Sequence, residues 1–138
     1  MIVSGRRTAG ILVAGLLTAA NLVATPGCTQ PSALDDPDLL TDLRFSPSAF
    51  DSFRANTQLR YRLGAPAVVT IAIAKRDTLG RDSLVKMIWR DGRETKGNHE
   101  HAWLGDTDQG FFAPAGEYLG VIRIGHRRFE AGVRVYHE

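Results

Sequence analysis

A chain of 138 residues is long enough for one domain of ordinary size and too short for two. Its hydrophobic content of 43% is that of a folded protein and excludes a wholly disordered chain. The formal charge of +2 comes from Arg6 and Arg7, the only charged residues before Cys28. Without them the 17 basic residues become 15, equal to the 15 acidic ones, and that balance excludes the basic footprint of a nucleic-acid-binding domain.

Residues 1–27 are arranged as an export signal. Arg6 and Arg7 form its positive region, residues 9–24 are a mostly apolar run interrupted by Thr18 and Asn21, and small residues and a cysteine follow. The run is shorter than the ~20 residues that span a bilayer, which predicts removal rather than permanent anchoring by this segment. Cys28 is the single cysteine, so an intramolecular disulfide is excluded. Ala24-Thr25-Pro26-Gly27-Cys28 resembles a bacterial lipobox, with Gly27 fitting the pattern and Thr25 and Pro26 departing from it. The resemblance implies lipidation of Cys28 and an exported protein anchored by several acyl chains to a membrane of the cell envelope. The alternative is ordinary cleavage after Thr18-Ala19-Ala20, which leaves a free thiol. Thr29, rather than Asp, follows the cysteine; by the sorting habit of enteric lipoproteins this favours the outer membrane.

Residues 28–42 read as an acidic flexible tether, with Asp35, Asp36, Asp38 and Asp42 beside Pro31 and Pro37 and few large apolar residues. A folded domain is expected over residues 43–138. Residues 43–50 read as an edge strand broken by Pro47. From Thr57 to Leu63 apolar and polar residues alternate strictly, with Leu59, Tyr61 and Leu63 on one face and Arg60 and Arg62 on the other, the pattern of a half-buried strand. Residues 67–74 are nearly all apolar and predict a central strand buried on both faces. Asp77 to Arg81 is a polar turn. Residues 84–89 form a further strand that ends at Trp89, before Arg90-Asp91-Gly92-Arg93. Residues 97–103 make a strand ending at Trp103, the largest side chain available to plug a small core. Two closing strands flank a turn at Gly125-His126-Arg127, the second alternating Phe129, Ala131, Val133 and Val135 against Arg128, Glu130, Gly132, Arg134 and Tyr136. About seven short strands, turns at every break and no convincing long helix predict an all-β antiparallel β-sandwich.

Gly97-Asn98-His99, Trp103, Gly105, Asp108, Gly110 and Pro114-Ala115-Gly116-Glu117-Tyr118 together resemble the Ig-like domain of the FlgD family, the module of the flagellar hook-capping scaffold that is also appended to many bacterial envelope and secreted proteins. Ser46-Pro47 with Phe50, and Asp77 with Gly80-Arg81, are similar to further elements of that family. Leu104 stands where the family usually has Asp. The resemblance implies an Ig-like, fibronectin-III-like sandwich with a structural or protein-binding role in assembly or adhesion. It does not carry over the hook-capping role, which belongs to a larger chain. Two other readings are a surface carbohydrate-binding module using Trp89, Phe111 and Phe112 as stacking surfaces, and a secretion-linked C-terminal module.

Chemistry-bearing residues are sparse. His99 and His101 lie two apart on a strand and face the same way, as a zinc pair does; His126 and Glu100 are the candidate third ligands, although Glu100 points to the opposite face. Asp106-Thr107-Asp108-Gln109-Gly110 has the look of a calcium loop, with Glu117 at the twelfth position, but Phe111, Phe112, Pro114 and Gly116 interrupt the ligand spacing. There is no Gly-x-Ser-x-Gly, no His-Glu-x-x-His and no P-loop. The sequence therefore predicts a protein without catalytic residues, metal or cofactor.

Overall fold

The computed structural model describes residues Ala33–Glu138. The export signal, Cys28 and the first residues of the tether lie outside the described residues. Eight strands follow a 3-10 turn at Ala33–Asp35. They are β1 (Leu40–Ser46), β2 (Ala49–Asp51), β3 (Thr57–Leu63), β4 (Ala67–Arg76), β5 (Asp82–Glu94), β6 (Gly97–Trp103), β7 (Gly116–Ile124) and β8 (Arg127–Tyr136). A three-stranded sheet in the order β1-β3-β6 faces a five-stranded sheet in the order β2-β8-β7-β4-β5. The protein is thus an all-β sandwich with the strand arrangement of Ig-like and fibronectin-III-like domains.

The pairings are antiparallel except one: β2 runs parallel to β8, with Phe50 opposite Val135. The sequence reading merged β1 and β2 into one interrupted strand. Pro47 has no N–H to continue the ladder, and the chain crosses there from the small sheet to the large one, so one expected strand becomes two. Thr57 Oγ1 donates to the Pro47 carbonyl and satisfies a polar group with no exposure of its own.

The alternating strands bury their predicted faces. Leu59, Tyr61 and Leu63 of β3 meet Val69, Ile71 and Ile73 of β4 and Ile122 and Ile124 of β7 in one core cluster. Trp103 closes one end of it, 1% exposed, with its ring edge-on to Phe50 and to Tyr118. Its indole N–H donates to the Asp106 carbonyl at 2.9 Å, so the buried nitrogen has a partner. Tyr118, at the start of β7, donates its hydroxyl to the carbonyl of Pro114, four residues upstream. This tyrosine corner is a device of Ig-like sandwiches and pins the β6–β7 connection to the core.

Three features differ from the sequence reading. The first strand starts at Leu40 rather than residue 43, because Leu39 and Leu40 are buried and Leu34 packs against the core. Arg127 holds that segment by donating to the carbonyls of Leu34 and Asp36 at 3.1 and 2.7 Å. Strand β4 is central and fully buried on its core face, but only in part on the other: Val68 is 46% exposed, Thr70 and Ala72 are half-buried, and Ala74 is buried. Strand β5 runs thirteen residues, well past Trp89, because Asp91 adopts a positive φ of 50° and absorbs the Asp-Gly sequence as an irregularity within the strand instead of a turn.

The sandwich has two poles. The chain enters at the first, where Leu39 lies against Gly64 and Leu34 against Gly125 in the β7–β8 turn. The second pole carries the β2–β3 and β6–β7 loops, set by the pairing of Thr57 with Trp103.

Candidate functional site

The densest polar cluster lies where the edge strands β5 and β6 of the two sheets come together. Register puts His99 opposite Tyr61 and His101 opposite Leu59, so both imidazoles face inward with the core side of β3. From the other sheet, Glu94 at the end of β5 turns inward beside them, its side chain 8% exposed. The Tyr61 hydroxyl donates to Glu94 Oε1 and His101 Nε2 donates to Glu94 Oε2 at 2.7 Å. His99 Nε2 donates to the Thr95 carbonyl at 2.6 Å, since a carbonyl can only accept, and its Nδ1 lies 3.8 Å from Glu94 Oε2. Both imidazoles stack near the Tyr61 ring, and the Trp89 indole covers His101 with ring centroids 5.5 Å apart. Burial, then the hydrogen bond to Glu94 and its negative charge, push the Tyr61 phenol well above its usual range and keep it a donor.

This cluster has a paired acid and imidazole, the ingredients of acid–base chemistry. Its atoms are nevertheless engaged with one another. Glu94 accepts from two side chains, as a buried carboxylate must to offset its desolvation. Among the described residues no serine or threonine hydroxyl hydrogen-bonds to either imidazole, so a nucleophile–base pair is missing. The predicted common face of His99 and His101 is present, but the third zinc candidates do not join it. Glu100 faces outward, 3.4 Å from Arg60, and His126 sits in the β7–β8 turn. Among the described residues no group of three or more His, Cys, Asp or Glu is arranged to hold a metal. The polar seam locks two sheet edges together. Sequence reasoning missed Glu94, its central residue, because it lay beyond the assumed end of β5.

The loop with the look of a calcium site is likewise engaged by the fold. Asp106 pairs with Lys86 at 2.9 Å. The Asp108 carboxylate accepts from the Met87 N–H at 3.1 Å, and the Asp108 N–H donates to the Val85 carbonyl at 3.0 Å. The loop therefore runs along the free side of β5. Thr107 caps the turn, its hydroxyl accepting from the N–H groups of Gln109 and Phe111. Neither carboxylate is turned toward a common point, and Glu117, the twelfth-position residue, lies on β7, 3.9 Å from Arg134.

Exposed aromatic side chains gather at the second pole. Phe53 of the β2–β3 loop meets Phe112 of the β6–β7 loop edge-on at 4.8 Å and stacks on His137 at 4.1 Å. Phe111 beside them is 71% exposed, and Leu104 is also exposed. Large apolar side chains exposed together on neighbouring loops make an apolar patch, a feature that monomeric surfaces usually keep small. The predicted stacking trio is divided: Trp89 belongs to the polar seam with His101, whereas Phe112 belongs to this pole with Phe53. Compared with models of known protein families and with curated proteins, the chain matches none.

Proposed function

We propose that the protein is a non-catalytic lipoprotein of the cell envelope, anchored through Cys28, whose FlgD-type Ig-like domain binds another protein in an assembly or adhesive role. The observation that carries the reading is the apolar pole of Phe53, Leu104, Phe111 and Phe112 at the end of the sandwich opposite the incoming chain. The described chain begins at Ala33 on the side of the first pole, and the aromatic loops stand at the other one. Aromatic anchors with surrounding polar residues are what protein interfaces select. The strand order, the tyrosine corner at Tyr118 and the core position of Trp103 support the likeness to FlgD-type domains.

The test places a photocrosslinking benzoyl-phenylalanine at position 111 of the full chain in cells, followed by mass spectrometry of the adducts. One dominant envelope protein joined at this position is the expected result. Glycan adducts with no protein would replace the reading with the carbohydrate-binding one.

A further inference from the structure

The outer face of the five-stranded sheet, turned away from the core, carries a trench distinct from the aromatic pole. Its floor is built from the outward residues of β4, which are small: Thr70, Ala72 and Ala74. Val121 of β7 and Met87 and Leu84 of β5 complete a hollow of about 230 Å³. A second hollow of about 440 Å³ continues it past Val68 and Asp91 to Gly125, and the two share Thr70 and Arg123. The trench is narrow: Ala74 and Val121 are buried at its floor, Thr70, Ala72 and Met87 are half-buried, and Val68 and Leu84 are exposed along it.

Its charges fall into two groups. At one end Arg76 pairs with Asp82 and Glu130, each at 2.8 Å, while Arg128 pairs with Asp82 and, at 3.1 Å, with Glu130. Two cations and two anions satisfy one another there. Arg123 and Arg93 differ. Arg123 lines both hollows, and Arg93 shares the outward face with its cross-strand partner Val68. Neither has an ion-pair partner among the described residues. The remaining carboxylate of the trench, Asp91, accepts from the Thr70 hydroxyl at 3.2 Å. An apolar floor with two unpaired guanidiniums beside it is complementary to apolar and anionic groups presented together, and guanidinium forks bind carboxylates bidentately.

We propose that this trench docks an extended acidic and apolar segment of a partner protein, with two carboxylates pairing with Arg93 and Arg123, which stand level with Val68 and Thr70, and an aliphatic side chain next along the strand filling the hollow over Ala72 and Val121. In an extended chain, side chains two residues apart face the same way about 6.8 Å apart, so one face of such a segment offers carboxylate, carboxylate and aliphatic group in turn, the order of Arg93, Arg123 and the hollow along β4. The floor has no aromatic ring on which a sugar would stack. The proposal rests on the protein-binding reading for the class of its occupant, but requires neither the lipid anchor nor the aromatic loops.

The experiment titrates the isotope-labelled full chain with the peptide acetyl-Glu-Ser-Glu-Ser-Leu-amide and follows backbone amide resonances. Saturable shifts centred on Ala72, Met87 and Val121 are expected, with affinity reduced about tenfold in Arg123→Gln and abolished in Ala72→Leu, which fills the hollow. The counterpart with lysine in place of glutamate should not bind. Equal shifts with the lysine peptide, an unchanged affinity in Arg123→Gln, shifts confined to the Phe111–Phe112 loop, or no shift at millimolar peptide would each overturn the proposal. Arg123 is exposed, so its variant decides the matter even if Ala72→Leu fails to fold. Peptide binding in the trench together with no protein crosslink at position 111 would leave this inference standing and remove the assembly reading of the aromatic pole.

Discussion

The Trp89 indole lies directly across Gly92, so close that a Cβ on residue 92 would meet its Nε1 at 1.3 Å. The glycine is what lets the ring turn back over the irregular part of β5 and cover His101. Gly92→Ala should expel the ring and uncover the polar seam. Overpacking of this kind costs about 1–3 kcal/mol. A urea unfolding midpoint equal to that of the parent, with unchanged tryptophan fluorescence, would show that the ring has no part in holding the edge.

Trp103→Ala should destabilise the domain by about 3–5 kcal/mol, the usual cost of removing a large aromatic from a core. The deletion also leaves the Asp106 carbonyl without its donor and loosens the loop that Asp106 begins. A loss under about 1 kcal/mol in chemical denaturation would mean that the end of the core is filled by something other than this ring.

Tyr61→Phe tests the seam. It removes one of the two hydrogen bonds to a carboxylate that is almost fully buried, at a cost of about 1–3 kcal/mol. Converting the acid as well, in Tyr61→Phe combined with Glu94→Gln, should recover part of that loss because no charge then lacks its partner. Strict additivity in the double-mutant cycle would show that the two side chains are energetically independent.

Hydrogen bonds from Arg76, and for Asp82 also from Arg128, hold the carboxyls of Asp82 and Glu130 below their ordinary range. A folded-state value below the unfolded one, which is about 4 for a carboxylic acid, contributes stability above that pH and loses it as pH falls through the folded value. Denaturation midpoints measured between neutral and strongly acidic pH should fall more steeply for the parent than for Arg76→Gln. Added salt should flatten the difference, because the network is exposed. Parallel curves would remove the network from any account of acid sensitivity.

Cys28→Ser should move the protein from the membrane fraction to the soluble one. Unchanged partitioning into detergent would remove the lipid anchor from the proposal while leaving the sandwich and its surfaces intact.

The sandwich was legible where one rule decides the outcome. The strict alternation of β3 set its register and its buried face, and the size of Trp103 set its place in the core. Legibility failed where two rules compete. Asp91-Gly92 has turn chemistry, but its neighbours Arg93 and Glu94 pair with β4, and the ladder won by placing Asp91 in a left-handed conformation inside the strand. That misread boundary hid Glu94, and with it the reason His99 and His101 face inward. The free guanidiniums of Arg93 and Arg123 were equally hidden, since only strand order reveals that they share a face. The Asp106 and Asp108 carboxylates looked like ligands because a sequence shows their spacing and not the β5 edge that engages them.

The position of that loop has a wider bearing. Many copies held side by side on one surface would present their sheet edges to each other at high local concentration, and an open edge is a template for pairing with the next chain. By bonding Asp108 to Met87 and Val85, the loop occupies the middle of the longest such edge. In such a layer the covered stretch would offer a neighbouring chain no free backbone to pair with, which disfavours continuous cross-chain sheet at this edge.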